Sequence, residues 1–358
     1  MKTMYSLSQL ATMLDSNAQA MADYIVPMGM VKMGDDAKLE VSGVPSEPRE
    51  LTPIGHGQLG ETLSIPKPYY DLMRASDPAL LATNVNRRIS TKPNERKLVR
   101  SLRGEYRAFL SDRYQRIDNK EVAEVTLNVL AGIPGVQVRS SAITESRLYI
   151  RAVTHEITAT VKGSRQVGDV IAAGVHISNS EVGMGSVSIK PFIERLVCIN
   201  GMVRDDGKLR ANHVGRRADE SIEGLLSDST RRLEDEVVLR KVRDVLRHAF
   251  DATKLQQFAD KLSATTQQVI EGDVNGAIEV LGPTFGLQVS EKSSVLRHLI
   301  SGGDISRWGL ANAITRTAED VDSFDRAVEL ETIGYKLIDL GGDQWNRISR
   351  AQPLKIAA

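Results

Sequence analysis

The sequence predicts an α+β protein: a central antiparallel β-sheet, a β-meander, with packed helices and a helical C-terminal part. Three observations carry that expectation. Short, β-branched, partly alternating runs crowd the middle of the chain ("RLYIRAVTH", "DVIAAGVHISNS", "GSVSIKPFI", "RLVCINGMV"), separated by the turn-forming "KGSRQVG" and "NSEVGMG". Beyond residue 219 apolar positions recur at helical spacing, from Ile222 and Leu225 to Phe258 and Leu262. Aromatic residues make up only 4% of the 358 residues, so the core has to rest on Val, Ile, Leu, Ala and Met, which suits packed helices and sheets.

Taken in order, residues 1–25 read as a short helix, and residues 26–68, with "GVPSEPRELTPIGHGQ" and "IPKPYY", as a loop-dominated arm. The stretch "TKPNERKLVRSLRGEYRAFLSD" predicts a helix. Pro93 suits its first turn, Glu95 its positive end, and Leu98, Leu102, Tyr106 and Phe109 form an apolar stripe. Gly104 works against it, since glycine inside a helix costs about 1 kcal/mol relative to Ala. A second helix is capped by Asn119, buries Val122, Val125, Val129 and Leu130, and ends at Gly132 and Pro134. In "DVIAAGVHIS" one strand face carries Ile171, Ala173, Val175 and Ile177. The other carries Val170, Ala172, Gly174 and His176, small enough to be half exposed. The tail from Arg307 adds two helices, the second acidic. Three regions follow: 1–84, an N-terminal helix and irregular arm; 85–218, an α+β core with a basic helix and the meander; and 219–358, helical.

Net charge is zero, but the charges are segregated: residues 87–120 hold eleven Lys/Arg against four Asp/Glu, and residues 317–343 hold two against eight. Such blocks steer polyanions or pair with each other. Cys198 is the only cysteine, which points to a reducing compartment and a cytoplasmic protein. No segment reaches the ~18 apolar residues of a membrane span, and no signal peptide is recognisable.

On the expected helix, Arg96, Arg100, Arg103 and Arg107 fall within a sector of about 60° at 100° per residue, a guanidinium stripe matched to phosphates. The same spacing also suits a solvated face paired with the acidic C-terminal helix. Arg113, Tyr114 and Arg116 follow directly, with Tyr114 a candidate for base stacking beside Tyr149 and Phe192. Residues 204–217, with Arg204, Lys208, Arg210, Arg216 and Arg217 against Asp205 and Asp206 and with glycines at 207 and 215, read as a flexible basic loop able to close over a nucleic-acid backbone, or as an ordinary polar connection between sheet and helices. Metal chemistry has little to stand on: Cys198 and His213 are an isolated pair, and "GMGSVSIK" lacks the Lys-Ser/Thr of a phosphate-binding loop. No cofactor, metal or catalytic residue is expected.

The stretches "FLSDRYQRIDN", "ISNSEVGMGSVSIKPFIERLVCINGMV", "NHVGRR" and "RWGLANAITRTAED" resemble the phage- and plasmid-borne domain-of-unknown-function family DUF932, over roughly residues 85–340. Two groups match its pattern: Asn179, Ser180, Glu181, Gly183 and Gly185, and Arg195, Cys198, Asn200 and Gly201. The resemblance implies no named activity. It implies DNA metabolism, recombination, anti-restriction or host takeover. In arrangement, a helix, a β-meander with a Gly-rich hairpin and a long basic helix are similar to the Rad52-like single-strand annealing proteins, from which this chain departs in its large helical C-terminus.

The expected function is therefore binding, and annealing, of single-stranded DNA by a homo-oligomer. Two other functions stay open: a Mg²⁺-dependent nuclease using Asp112, Asp118, Glu181 and Glu194, and an anti-defence or host-modulating factor that binds a host or phage protein.

Overall fold

The protein is seen in a computed structural model that describes residues 4–44, 49–197, 200–204, 209–211 and 228–352. After α1 (Leu7–Ala20), strand β1 (Met21–Pro27) pairs antiparallel with β4 (Arg96–Leu102), which pairs with β5 (Glu105–Ser111). Between β1 and β4 come a small hairpin, β2 (Val31–Met33) and β3 (Leu39–Val41), and three helices, α2 (Pro53–Thr62), α3 (Lys67–Ser76) and α4 (Pro78–Ile89). The expected loop-dominated arm is thus mostly regular structure. Two of its prolines open helices, Pro53 in the first turn of α2, which Thr52 caps through its side chain, and Pro68 in the first turn of α3. Leu39, Leu59, Leu81, Val85, Val99 and Tyr106 form a core of their own there.

The expected basic helix is the hairpin β4–β5. Arg103 and Gly104 make its two-residue turn, both with positive φ (51° and 89°), the backbone that right-twisting hairpins require. The four apolar residues of the expected stripe are spaced so that they also fit two strands, and Gly104 decides between the readings. Register shifts beside Arg100, so that β5 carries an extra residue around Arg107.

Helix α5 (Asn119–Ala131) runs as expected and stops at Gly132, but its N-cap is Asp118, in a capping box with Glu121. The meander follows: β6 (Val136–Ile143), β7 (Leu148–Thr160), β8 (Val170–Asn179), β9 (Val187–Arg195) and β10 (Asn200–Val203) pair antiparallel in sequence order, and β11 (Leu209–Ala211) pairs with β9. The helices after it are α6 (Asp228–Arg247), α7 (Ala252–Thr265), α8 (Val274–Phe285), α9 (Val289–Gly302), α10 (Arg307–Thr317), α11 (Phe324–Asp339) and α12 (Gly342–Ser349).

Both faces of the sheet are covered. Ile150, Val175, Ile177 and Ile189 pack with Val122 of α5 and with Val242 and Leu246 of α6, while Ile171, Ala173 and Ile193 join the core of the C-terminal helices. On the opposite face Tyr149, Val153, Ala172 and Phe192 meet Phe324 and Val328 of α11. The small face of β8 is therefore buried, not half exposed: Ala172 is 0% and His176 2% accessible. Small residues there let α11 approach.

Candidate nucleic-acid interface

The arginines of the hairpin form no stripe. Arg100 is wholly buried; its Nε donates to Asp23 (2.9 Å), its Nη2 to Asp118 (2.6 Å) and its Nη1 to the Glu181 carbonyl (2.9 Å). Burial opposes its charge, yet Asp118 and Asp23 outweigh that and hold its pKa above the ordinary arginine value. Arg107 is half-buried and paired with Glu181. Arg103 lies in the turn and donates to Asn17 (2.9 Å). Arg96 is exposed at the start of β4, away from the other three.

Tyr114 is a core residue and no stacking platform: its hydroxyl donates to the Ser180 carbonyl at 2.7 Å, and burial pushes its pKa up. Tyr149 and Phe192 are likewise enclosed, the first donating to Asp325 (2.6 Å), the second beneath the Arg151 guanidinium. Arg113 and Arg116 are exposed, and Arg116 lies 4.0 Å from Asp23. Arg204 stacks 4.0 Å from the ring centroid of Phe258. Arg210 sits on β11, and Lys208, Arg216, Arg217, Cys198 and His213 lie outside the described residues.

The sequence stretches that stood out find one another. "NSEVGMG" joins β8 to β9, where Glu181 accepts the Asn119 N–H (2.7 Å), Asn179 donates to the Ile117 carbonyl (3.0 Å), and the Ser180 hydroxyl accepts from Met184 (3.0 Å). It is a buried knot tying the hairpin, the start of α5 and the meander. At the other end of the sheet, Asp169 holds Arg195 through two bonds (2.6 and 2.7 Å) and accepts from the Trp308 indole (2.9 Å). Asn200 donates to Thr315 of α10 (2.6 Å).

The candidate carboxylates are divided among separate contacts. Asp118 and Glu181 serve the knot, and Glu194 holds Arg139 (2.7 Å) and His155 (3.0 Å). Among the described residues no group of three or more His, Cys, Asp or Glu could hold a metal ion.

A row of exposed cations lies on α6. Arg240, Arg243 and Arg247 are exposed and fall within a sector of about 60°, outside the buried side that carries Val242 and Leu246. Arg240 pairs with Glu236 (2.7 Å); among the described residues Arg243 and Arg247 have no carboxylate partner. Spacing of three and four in "LRKVRDVLR" was the available signal. Beside this ridge, Asp244 and His248 begin the wall of a cleft of about 740 Å³ between α6, α7 and the sheet, which also holds Arg204, Lys254 and Lys261. Lys254 lies 3.8 Å from Asp251 and Lys261 pairs with Asp339. Phe258 is enclosed beneath Arg204, so the cleft presents cations more than ring faces.

The model of a family described as a domain of unknown function (DUF932) matches residues 108–332. No curated protein and no solved structure matches the chain. Among the described residues no helix is long and apolar enough to cross a membrane.

Proposed function

The chain belongs to the DUF932 family, and we propose that it binds single-stranded DNA by its phosphates, along α6 and the cleft beside it, in a manner that lets strands anneal. The observation that carries this reading is the exposed ridge Arg240, Arg243 and Arg247, continued by Lys254 and Arg204 at the cleft. Guanidiniums on one helical face neutralise successive phosphates and release counterions. Contact through the backbone leaves bases turned outward, which pairing with a second strand requires. The ridge spans only about two helical turns, so a long strand needs several subunits, and homo-oligomers are part of the reading. Arg113 and Arg116, exposed near the start of α6, would extend the path.

The test is a titration of single-stranded DNA, duplex DNA and RNA at several salt concentrations. Charge reversal at Arg240, Arg243 and Arg247 together is expected to flatten the log–log salt slope for single strands by about 2, at about 0.7 per lost phosphate contact. An unchanged slope overturns the ridge as the binding surface.

A further inference from the structure

All histidines but His213 lie among the described residues, and four of those are engaged within the fold. His56 and His176 are buried, the first beside the Tyr70 hydroxyl and the second beside the Arg151 guanidinium. His155 and His298 meet the carboxylates of Glu194 (3.0 Å) and Asp320 (2.7 Å). His248 differs from all four. It is exposed, follows directly on Arg247 at the end of α6, and stands in the wall of the cleft of about 740 Å³. Its Nδ1 lies 2.8 Å from the Asp244 carbonyl. A carbonyl can only accept, so Nδ1 carries the ring proton and the lone pair of the neutral imidazole is on Nε2. Among the described residues Nε2 has no hydrogen-bond partner, and no carboxylate lies within ion-pair distance of the ring.

The charges around this ring come from three sides. On α6 itself stand Asp244, four residues back, and the ridge arginines Arg243 and Arg247. From the start of α7 come Asp251 and Lys254, 3.8 Å apart, and deeper along it Lys261, held by Asp339. The strands add only Arg204 and apolar residues to the lining. In its neutral form His248 presents a lone pair to the cleft, which a phosphate oxygen avoids. Protonation turns the same Nε2 into a charged N–H donor beside Arg247, and Asp244 at four residues' spacing favours that form. Imidazole is the side chain that ordinarily makes this change between pH 5 and 8.

We propose that His248 is a proton-gated phosphate contact, which extends the ridge by one cation in acid and makes the binding of single strands at α6 tighter there than in alkali. This inference rests on the DNA-binding reading and concerns the regulation of the same surface.

Titration of the full chain with a single-stranded oligonucleotide over a range of salt, at pH 5.5 and at pH 8, tests it. In the parent the log–log salt slope is expected to be steeper at pH 5.5 by about 0.7, the share of one phosphate contact on a single strand, with affinity about three- to fivefold higher. His248→Ala should remove that difference, and His248→Lys should give the steeper slope at both pH values. Asp235, on the same helix but about 20 Å away along its axis, also changes charge near pH 6, so Asp235→Asn is the control and should keep the difference. A difference that survives His248→Ala, that vanishes in Asp235→Asn, or that is missing from a parent whose slope still responds to reversal of the ridge overturns this inference alone. A parent that binds no single strand, or binds it regardless of ridge reversal, overturns the DNA-binding reading and this inference with it.

Discussion

The hairpin β4–β5 and the second half of α6 carry arginines at similar density and put them to opposite uses. In the hairpin, Arg100 and Arg107 turn inward and meet Asp23, Asp118 and Glu181. On α6, Arg240, Arg243 and Arg247 stand in solvent. The difference lies in what surrounds the backbone. A strand in a covered sheet sends alternate residues into the interior, where a guanidinium persists only if carboxylates and carbonyls meet its donors. A helix packed by one face leaves the rest of its circumference to water. Arginine density is therefore no guide to a binding surface until the element carrying it is known.

That contrast can be broken at its strongest point by Arg100→Leu. It leaves Asp23 and Asp118 without their common partner and is expected to cost about 3–5 kcal/mol in urea unfolding. A cost as small as that of a surface substitution would show that the buried knot is no structural element. The ridge substitutions on α6 should do the reverse, moving each unfolding free energy by about 0.5 kcal/mol or less while changing the salt slope.

Acid sensitivity sharpens the same contrast. Burial pushes the His56 imidazole down from 6.5 to about 4, with Arg74 adding to the effect, and His56 Nδ1 lies 2.9 Å from the Tyr70 hydroxyl. A histidine whose folded pKa is depressed favours the fold above its ordinary pKa and loses that contribution as pH falls through the folded value. Stability should therefore fall between pH 6.5 and about 4, and His56→Gln should make that limb shallower in unfolding midpoints measured across pH. His176, fully enclosed and accepting from Arg151 (3.3 Å), acts in the same direction.

The smallest effect is expected at Asp235, in the first half of α6. Asp235 on α6 is pushed up from 3.8 to about 6 by burial, against the pull of nearby Arg116. A raised carboxyl favours the fold when protonated, and that contribution is lost as pH rises through about 6. Asp235→Asn should leave stability at pH 4 nearly unchanged and raise it modestly at pH 8, read by thermal melting.

Much of the architecture was legible in the chain. β-branched alternation located the meander, and Gly132 marked the end of α5. The hairpin was not, because Leu98, Leu102, Tyr106 and Phe109 satisfy a helical and a strand pattern alike, and the discriminating Arg103–Gly104 turn is only two residues long. The arm before it was misread because a proline that opens a helix has the same local signature as one that prevents it. Of the proposed interface, Arg204 was named from the sequence, whereas Arg240, Arg243 and Arg247 were passed over because their helix also carries a core face.

By itself, then, the sequence determined the class of fold, the presence of the meander and the end of α5, since these depend on periodicity and turn chemistry among near neighbours. Only the tertiary structure decided which cations face water. Asp23 and Glu181 lie far along the chain from Arg100 and Arg107, and no local pattern reports a partner that arrives from another element.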